Sequence, residues 1–422
     1  MTEAVETAGA GGRVLGRRRR AVAGLADQAF TAGANAVNGL VAGVLLGPAL
    51  YGRYVASIGV AFIAVAVARA FIGEVLLTHS ARAQGDELRG QVRDASATAL
   101  MVGLAAAVVA VGIWALGFDL LRDLVWLVPF LPVALLADAG RYAFLSQRRP
   151  QRSLVITGIA LLTQLGIVVG LVLGDAVSAA SLLAAWGAGT AVGAVVALFL
   201  AYVNPLRGSP RRWLAGTRHL SAWFTGSAIL AQLQNWIVLY FVGGFLGHAE
   251  LGGLRMLQML VLMPVQNFIW ALGGMLVPGY SHLAEAGDVP RIRRRTRGLI
   301  GAFALVGVVL VALSPVGSWL LSLLLPAYGA FGVLVLPIAL QAGLYLVQSP
   351  LNAALRGLQQ ARYAFTQYAV FAAVILPASL FGAWYAGVEG AAYGMVAGAV
   401  AGGAAACLLY RRALQALRPS AS

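Results

Sequence analysis

Arg69 and Arg255 each stand inside a long apolar run. A guanidinium in hydrocarbon is costly, so it faces a partner or a wet cavity. Its planar fork of donors suits phosphate oxygens, and Arg53 is a third candidate for such a contact, although Arg53 and Arg122 also read as interfacial side chains that snorkel to water. Uncharged amides accompany the arginines: Asn35 and Asn38 before Arg69, Gln232 and Asn235 before Arg255, Gln258 and Gln266 after it. Amides serve hydroxyl groups without demanding a counter-charge. Arg255, Gln258 and Gln266 are spaced by three and eight, which predicts one helical stripe lining a pore.

Three carboxylates share these runs, Asp27, Glu74 and Asp138, and they are the candidates for coupling to an ion. Asp27 and Asn38 are three turns apart on one face, with Asn35 beside them. Asp27 could pair with Arg69, either as a structural tie between neighbouring helices or as part of a substrate contact. Asp138 and Arg141, three apart, read as a structural pair. No metal set and no nucleophile with a base is visible, and no Gly-x4-Gly-Lys-Ser/Thr loop offers a nucleotide site. The reading is of a chain that is not an enzyme and carries no cofactor. Cys407 stands alone, and the four histidines are scattered near helix ends.

These side chains need helices in a membrane to hold them. The chain of 422 residues is 60% hydrophobic and 11% charged, where a soluble domain carries roughly 25% charged residues. Apolar runs of about 20 residues recur along it. Twelve spans are predicted, at 22–46, 54–78, 95–117, 124–146, 154–174, 179–203, 220–246, 254–279, 299–325, 331–352, 364–386 and 391–410. The polar start ending in four arginines precedes a run too long for a signal-peptide core, so it reads as a retained first span. No Lys occurs, and the net charge of +15 comes from arginine. With the N-terminus in the cytoplasm, 25 of the 30 arginines fall on cytoplasmic segments, as the positive-inside rule requires. Both termini are then cytoplasmic, and nothing hydrophilic remains to bind nucleic acid.

The sequence also repeats itself. In "LLGPALYGRY", Leu45 to Tyr54, the residues Leu46, Gly47, Ala49 and Gly52 return 200 positions on as Leu246, Gly247, Ala249 and Gly252 of "LGHAELGGL". Asn35 meets Asn235, Gly43 meets Gly243, and Gly73 meets Gly273 at the same shift. "SARAQGD" (Ser80 to Asp86) is echoed by "SHLAEAGD" (Ser281 to Asp288), each before an Arg-rich segment. Six spans per copy is an even number, so the two copies run parallel about an axis along the membrane normal. The expected organisation is a basic cytoplasmic N-terminus (1–21), a six-helix bundle (22–203), a cytoplasmic linker (204–219), a second six-helix bundle (220–410) and a cytoplasmic tail (411–422).

The paired hinges and the stretch "MLVPGYSHLAEAGDVPRIRRRTR", Met275 to Arg297, carry a resemblance. The chain resembles the multidrug/oligosaccharidyl-lipid/polysaccharide (MOP) exporter superfamily, and within it most the polysaccharide flippase, or O-antigen translocase, branch. The likeness covers most of the chain in topology and about 80 residues in motif. Departures exist. Related lipid II flippases usually have fourteen spans, and Tyr51 and Tyr54 have no tyrosine partners in the second hinge. The loop "HSARAQGDELRGQVRD" lacks the Gly-x3-Asp-Arg-x-Gly-Arg-Arg signature of the major facilitator class.

The resemblance implies an all-α polytopic fold of two six-helix bundles in a V, with spans 1, 2, 7 and 8 lining a central cavity. It implies an undecaprenyl-pyrophosphate-linked oligosaccharide as cargo, moved from the inner to the outer leaflet of a bacterial plasma membrane by alternating access. A polysaccharide polymerase and glycosyltransferases would be the neighbouring machinery, and membrane lipids the surroundings. Two other readings stay open from the sequence. One is a multidrug/cation antiporter of the same superfamily, which needs carboxylates rather than arginines. The other is a membrane scaffold of a glycan-assembly complex that transports nothing.

Overall fold

The fold was analysed in a computed structural model. It describes the backbone of residues 2–80, 83, 85–147, 149–201 and 203–416, and the side chains from Phe30 onward within that set, except at 220, 223, 227, 230, 231, 233, 234, 274 and 361. Among the described residues there are α-helices, short 3-10 and π turns, and no strand. Among the described residues, nine helical stretches are long and apolar enough to cross a membrane.

The chain divides into two compact units. Unit 1 holds Met1–Leu46 and Arg53–Leu233, and unit 2 holds Gly47–Gly52 and Gln234–Ser422. The boundary falls inside a helix rather than in the linker expected at 204–219.

Unit 1 is built from most of α1 (Thr2–Ala68), a π turn (Arg69–Gly73), α2 (Glu74–His79), α3 (Gly85–Ala115), α4 (Leu131–Ser146), α5 (Pro150–Leu173), α6 (Ala179–Ala201) and the start of α7 (Pro210–Phe245). Helix α3 packs on α4, and α5 packs on α6. Small residues permit this closeness: a Cβ at Gly103 of α3 would strike Pro132 of α4, and one at Gly189 of α6 would strike the Ala160 carbonyl oxygen of α5. Two 3-10 segments, Asp119–Trp126 and Val128–Phe130, replace the first turns of the span expected at 124–146. Pro129 and Pro132 explain the delay, since neither offers an N–H to an α-helical ladder. After α6, Asp94 holds the linker: its carboxylate accepts from the backbone N–H of Ser209 (2.9 Å) and from Arg212 Nη2 (2.8 Å).

Unit 2 contains the rest of α7, α8 (His248–Leu257), a second π turn (Gln258–Leu262), α9 (Met263–Glu285), α10 (Val289–Ala312), α11 (Ser314–Leu324), α12 (Val335–Gly357) and α13 (Ala361–Ala416). Helix α12 is central, packing on α9, α10 and α13. The span expected at 299–325 is broken after Ala312, and Pro315 in the first turn of α11 marks the break. Helix α13 kinks at Ala386 and Gly387, between the two last expected spans. Several helices outrun their expected ends: α3 starts at Gly85, α10 at Val289, and α9 runs to Glu285. Hydropathy finds only the apolar part of a helix; its polar, Arg-rich turns continue into the interface.

The repeated hinge is visible in the backbone. Gly47 has φ 68° and its twin Gly247 has φ 125°, a region open to glycine and strained for other residues. Within unit 2 the segment Gly47–Gly52 lies against the start of α8, and the contact is reciprocal. A Cβ at Gly52 would overlap the carbonyl oxygen of His248, and one at Gly252 would overlap that of Pro48. Gly73 and Gly273 do not match in this way. Gly73 is crowded by the Tyr142 ring, while Gly273 has open space. Gly252→Ala or Gly52→Ala must therefore force two backbones apart, at about 1–3 kcal/mol. The expected result is a lowered thermal midpoint in detergent, with Gly112→Ala, at a position with open space, leaving it unchanged.

Candidate substrate site

The helices of unit 1 line an open cavity of about 140 Å3 with a largely apolar wall, into which a polar group of Thr31, Asn35, Asn38, Arg69, Asp138, Arg141 and Gln164 is set. Its charges are interlocked. Arg69 grips Asp138 with a fork, Nε to Oδ2 at 3.1 Å and Nη2 to Oδ1 at 2.8 Å. Arg141 reaches the same Oδ1 at 3.4 Å and donates to Thr31 Oγ1 at 2.6 Å. The side chains of Asp138 and Arg141 are about a tenth exposed, and that of Arg69 is 34% exposed.

Local sequence positions this cluster. The π turn Arg69–Gly73 adds a residue to the helix and re-aims Arg69, as such turns do at functional sites. Gly73 leaves room for the Tyr142 ring, over which the Arg69 guanidinium lies at 5.7 Å. Asn38, buried in α1, accepts from Tyr54 Oη (3.1 Å) and Gln164 Nε2 (2.5 Å). The cavity thus joins an ion cluster to neutral amide and hydroxyl groups, a surface suited to water or hydroxyl groups.

Unit 2 offers a different arrangement. Arg255, at the end of α8, lies 5.1 Å from the centre of the Trp236 ring. Its Nη1 faces Gln258 Oε1 at 3.5 Å. No carboxylate pairs with it among the described residues. Gln258 is buried and its Nε2 touches Met395 Sδ at 3.5 Å. Tyr51 also belongs to this unit; its hydroxyl points at Met259 Sδ (3.8 Å) and its ring meets Tyr328 edge-on. A cation held by an indole face and an amide leaves its charge available to an anion.

The expected residues sort as follows. Asn35, Asn38, Arg69 and Asp138 come together in unit 1, and Arg255 and Gln258 come together in unit 2. The π turn Gln258–Leu262 lies between Gln258 and Gln266, and Gln266 is half-buried in α9. Gln232 and Asn235 sit on either side of the unit boundary in α7, Gln232 half-buried and Asn235 exposed. The side chain of Asp27 lies outside the described residues. Arg69 is held by Asp138, a partner not anticipated for it, and the anticipated Asp138–Arg141 contact is the longer of the two. Glu74 is exposed. Arg53 is paired with Asp123 at 3.0 Å.

Thr31, Gln164 and Trp236 were not singled out from the sequence. Gln164 carries a signal, as a lone amide in the apolar run of α5. Trp236 carries none, because its contact with Arg255 joins two helices.

No family model matches the chain, and no curated protein matches it in sequence. Solved structures do. A multidrug resistance MATE family transporter of the MOP superfamily, in an inward-facing conformation, superposes with a TM-score of 0.74 at 14% identity, covering 94% of this chain and 96% of that one. The lipid II flippase MurJ, in an inward closed conformation, gives 0.73 at 10% identity over 94% and 89%. A eukaryotic MATE transporter gives 0.64 at 14% identity over 96% and 99%. The chain therefore has the all-helical fold that these MATE and MurJ transporters share, over nearly its whole length.

Proposed function

From this shared fold, we propose that the chain is a multi-pass membrane transporter that flips a lipid-linked, pyrophosphate-bearing oligosaccharide between leaflets. Arg255 carries the reading. Within an apolar helix it is a fixed positive charge with an indole and an amide for company and no carboxylate among the described residues. A pyrophosphate would supply the missing charge, and the isoprenoid tail would stay in lipid. The setting would be a bacterial plasma membrane, with delivery of the cargo to polymerising enzymes on the far side.

The competing reading, export of cationic drugs, needs an accessible carboxylate. Asp138 is the described candidate at the cavity, and both its oxygens already face guanidinium groups. A cationic drug would have to displace Arg69 or Arg141 to reach it.

The test is transport by the purified chain in proteoliposomes. A fluorescent undecaprenyl-pyrophosphate oligosaccharide is expected to cross to the opposite leaflet, scored by its accessibility to an external lectin. Ethidium is expected not to move. Transport of ethidium without the glycolipid would overturn the proposal in favour of drug export, and movement of neither would favour a scaffold.

A further inference from the structure

Arg69 and Arg255 each stand in an apolar helix run, and they are held differently. Arg69 is gripped by a carboxylate, at 3.1 and 2.8 Å. Arg255 is held by an amide, its Nη1 donating to Gln258 Oε1 at 3.5 Å. The second contact is longer and brings no opposite charge, so it orients the guanidinium without neutralising it. Arg255 is half-buried, whereas Gln258 is 7% exposed, so a ligand would meet the guanidinium and not the amide.

Both ends of the Gln258 amide are engaged. Oε1 accepts from Arg255 in α8, and Nε2 donates to Met395 Sδ in α13 at 3.5 Å. Chemistry restricts what can stand between those two partners. A guanidinium only donates and a thioether only accepts, so the side chain joining them must accept at one end and donate at the other. An amide does both without charge. A carboxylate of the same shape accepts from Arg255, cannot donate to Met395, and brings a counter-charge. Gln258 also opens the second π turn, a distortion common at functional sites.

We propose that Gln258 sets the charge selectivity of this site, as a positioning residue that acts through Arg255. It fixes the direction of the guanidinium, ties it to α13 through Met395 and, being neutral, leaves the positive charge for a phosphate. The inference rests on the reading of Arg255 as the pyrophosphate contact. It adds that the sign of the accepted ligand is decided at position 258. With a carboxylate there, Arg255 would be neutralised as Arg69 is by Asp138, and the site would no longer select an anion.

Undecaprenyl pyrophosphate and undecaprenol share a tail and differ in charge. Each is titrated into the full chain in neutral detergent, with bound ligand counted by native mass spectrometry. The native chain is expected to bind the pyrophosphate at least about 30-fold more tightly than the alcohol. Gln258→Glu should lose at least about 30-fold in pyrophosphate affinity and nothing in alcohol affinity, with a thermal midpoint no lower than that of Gln258→Met. Gln258→Met keeps the side-chain length and the free charge on Arg255 but loses the contact, and should bind the pyrophosphate about 3- to 10-fold more weakly. A packing role alone predicts losses that follow the thermal midpoints and strike both ligands alike. Native pyrophosphate affinity in Gln258→Glu, or a loss no larger than that of Gln258→Met, would overturn the role of Gln258 while leaving Arg255 as the anion contact. A native chain with no preference for the pyrophosphate would overturn the cargo reading and this role together. If Gln258→Glu does not fold, Gln258→Met carries the test, and an unchanged preference for the pyrophosphate over the alcohol would overturn the proposal.

Discussion

Arg255→Ala is expected to reduce flipping of a pyrophosphate-linked oligosaccharide by at least about 30-fold while leaving the protein inserted and folded. The magnitude follows from truncating one member of a buried, hydrogen-bonded charge pair, about 2–5 kcal/mol, taken at its low end. Arg255 has no protein counter-charge among the described residues, so its removal leaves no carboxylate stranded. The loss should therefore appear in transport and not in stability. Arg255→Lys should fall between, since lysine keeps the charge but loses the planar fork and its stacking on Trp236. The measurement is leaflet transport in proteoliposomes beside surface polysaccharide in cells. Native transport by Arg255→Ala would remove this residue from the site.

Asp138→Asn is expected to act the other way, on stability first. It strips the carboxylate from between Arg69 and Arg141 and leaves their charges uncompensated. Opening a buried pair costs about 3–5 kcal/mol, and the low end applies because a third of the Arg69 side chain faces the cavity. The thermal midpoint in detergent should fall clearly below that of Arg255→Ala. The triple variant Asp138→Leu/Arg69→Met/Arg141→Met removes all three charges and should recover much of the loss, since an apolar replacement of a buried ion pair or triad is often neutral. Transport by that triple variant separates two roles. If Asp138 only ties α4 to the Arg69 turn, flipping returns with stability. If it couples transport to an ion, stability returns and flipping does not.

The all-helical membrane class was legible in the composition, and the hinge repeat was legible in the residues. Gly47 and Gly247 read as turn residues, and the backbone turns left-handed at both. Their neighbours Gly52 and Gly252 read only as a repeat, yet they meet carbonyl oxygens across a seam that a linear pattern does not contain. The polar side chains within apolar runs were equally easy to list, because each stands out against Leu, Val and Ala. Their partners were harder. Sequence spacing reports pairs three or four apart on one helix, so Asp138–Arg141 was expected and the stronger Arg69–Asp138 fork was not.

The two π turns show a further limit. An i, i+3, i+4 pattern assumes α-helical register, and the turns at Arg69–Gly73 and Gln258–Leu262 break that register at the residues whose direction matters. By itself the sequence determined that the chain lives among lipids, that it repeats a hinge, and that arginines and amides stand where hydrocarbon should exclude them. Those are consequences of residue type and local spacing. The tertiary structure decided which arginine is neutralised and which is not: Arg69 meets Asp138 and Arg255 meets an indole. Charge pairing is settled over a few ångströms between helices distant in sequence, and only the packed fold sets those distances.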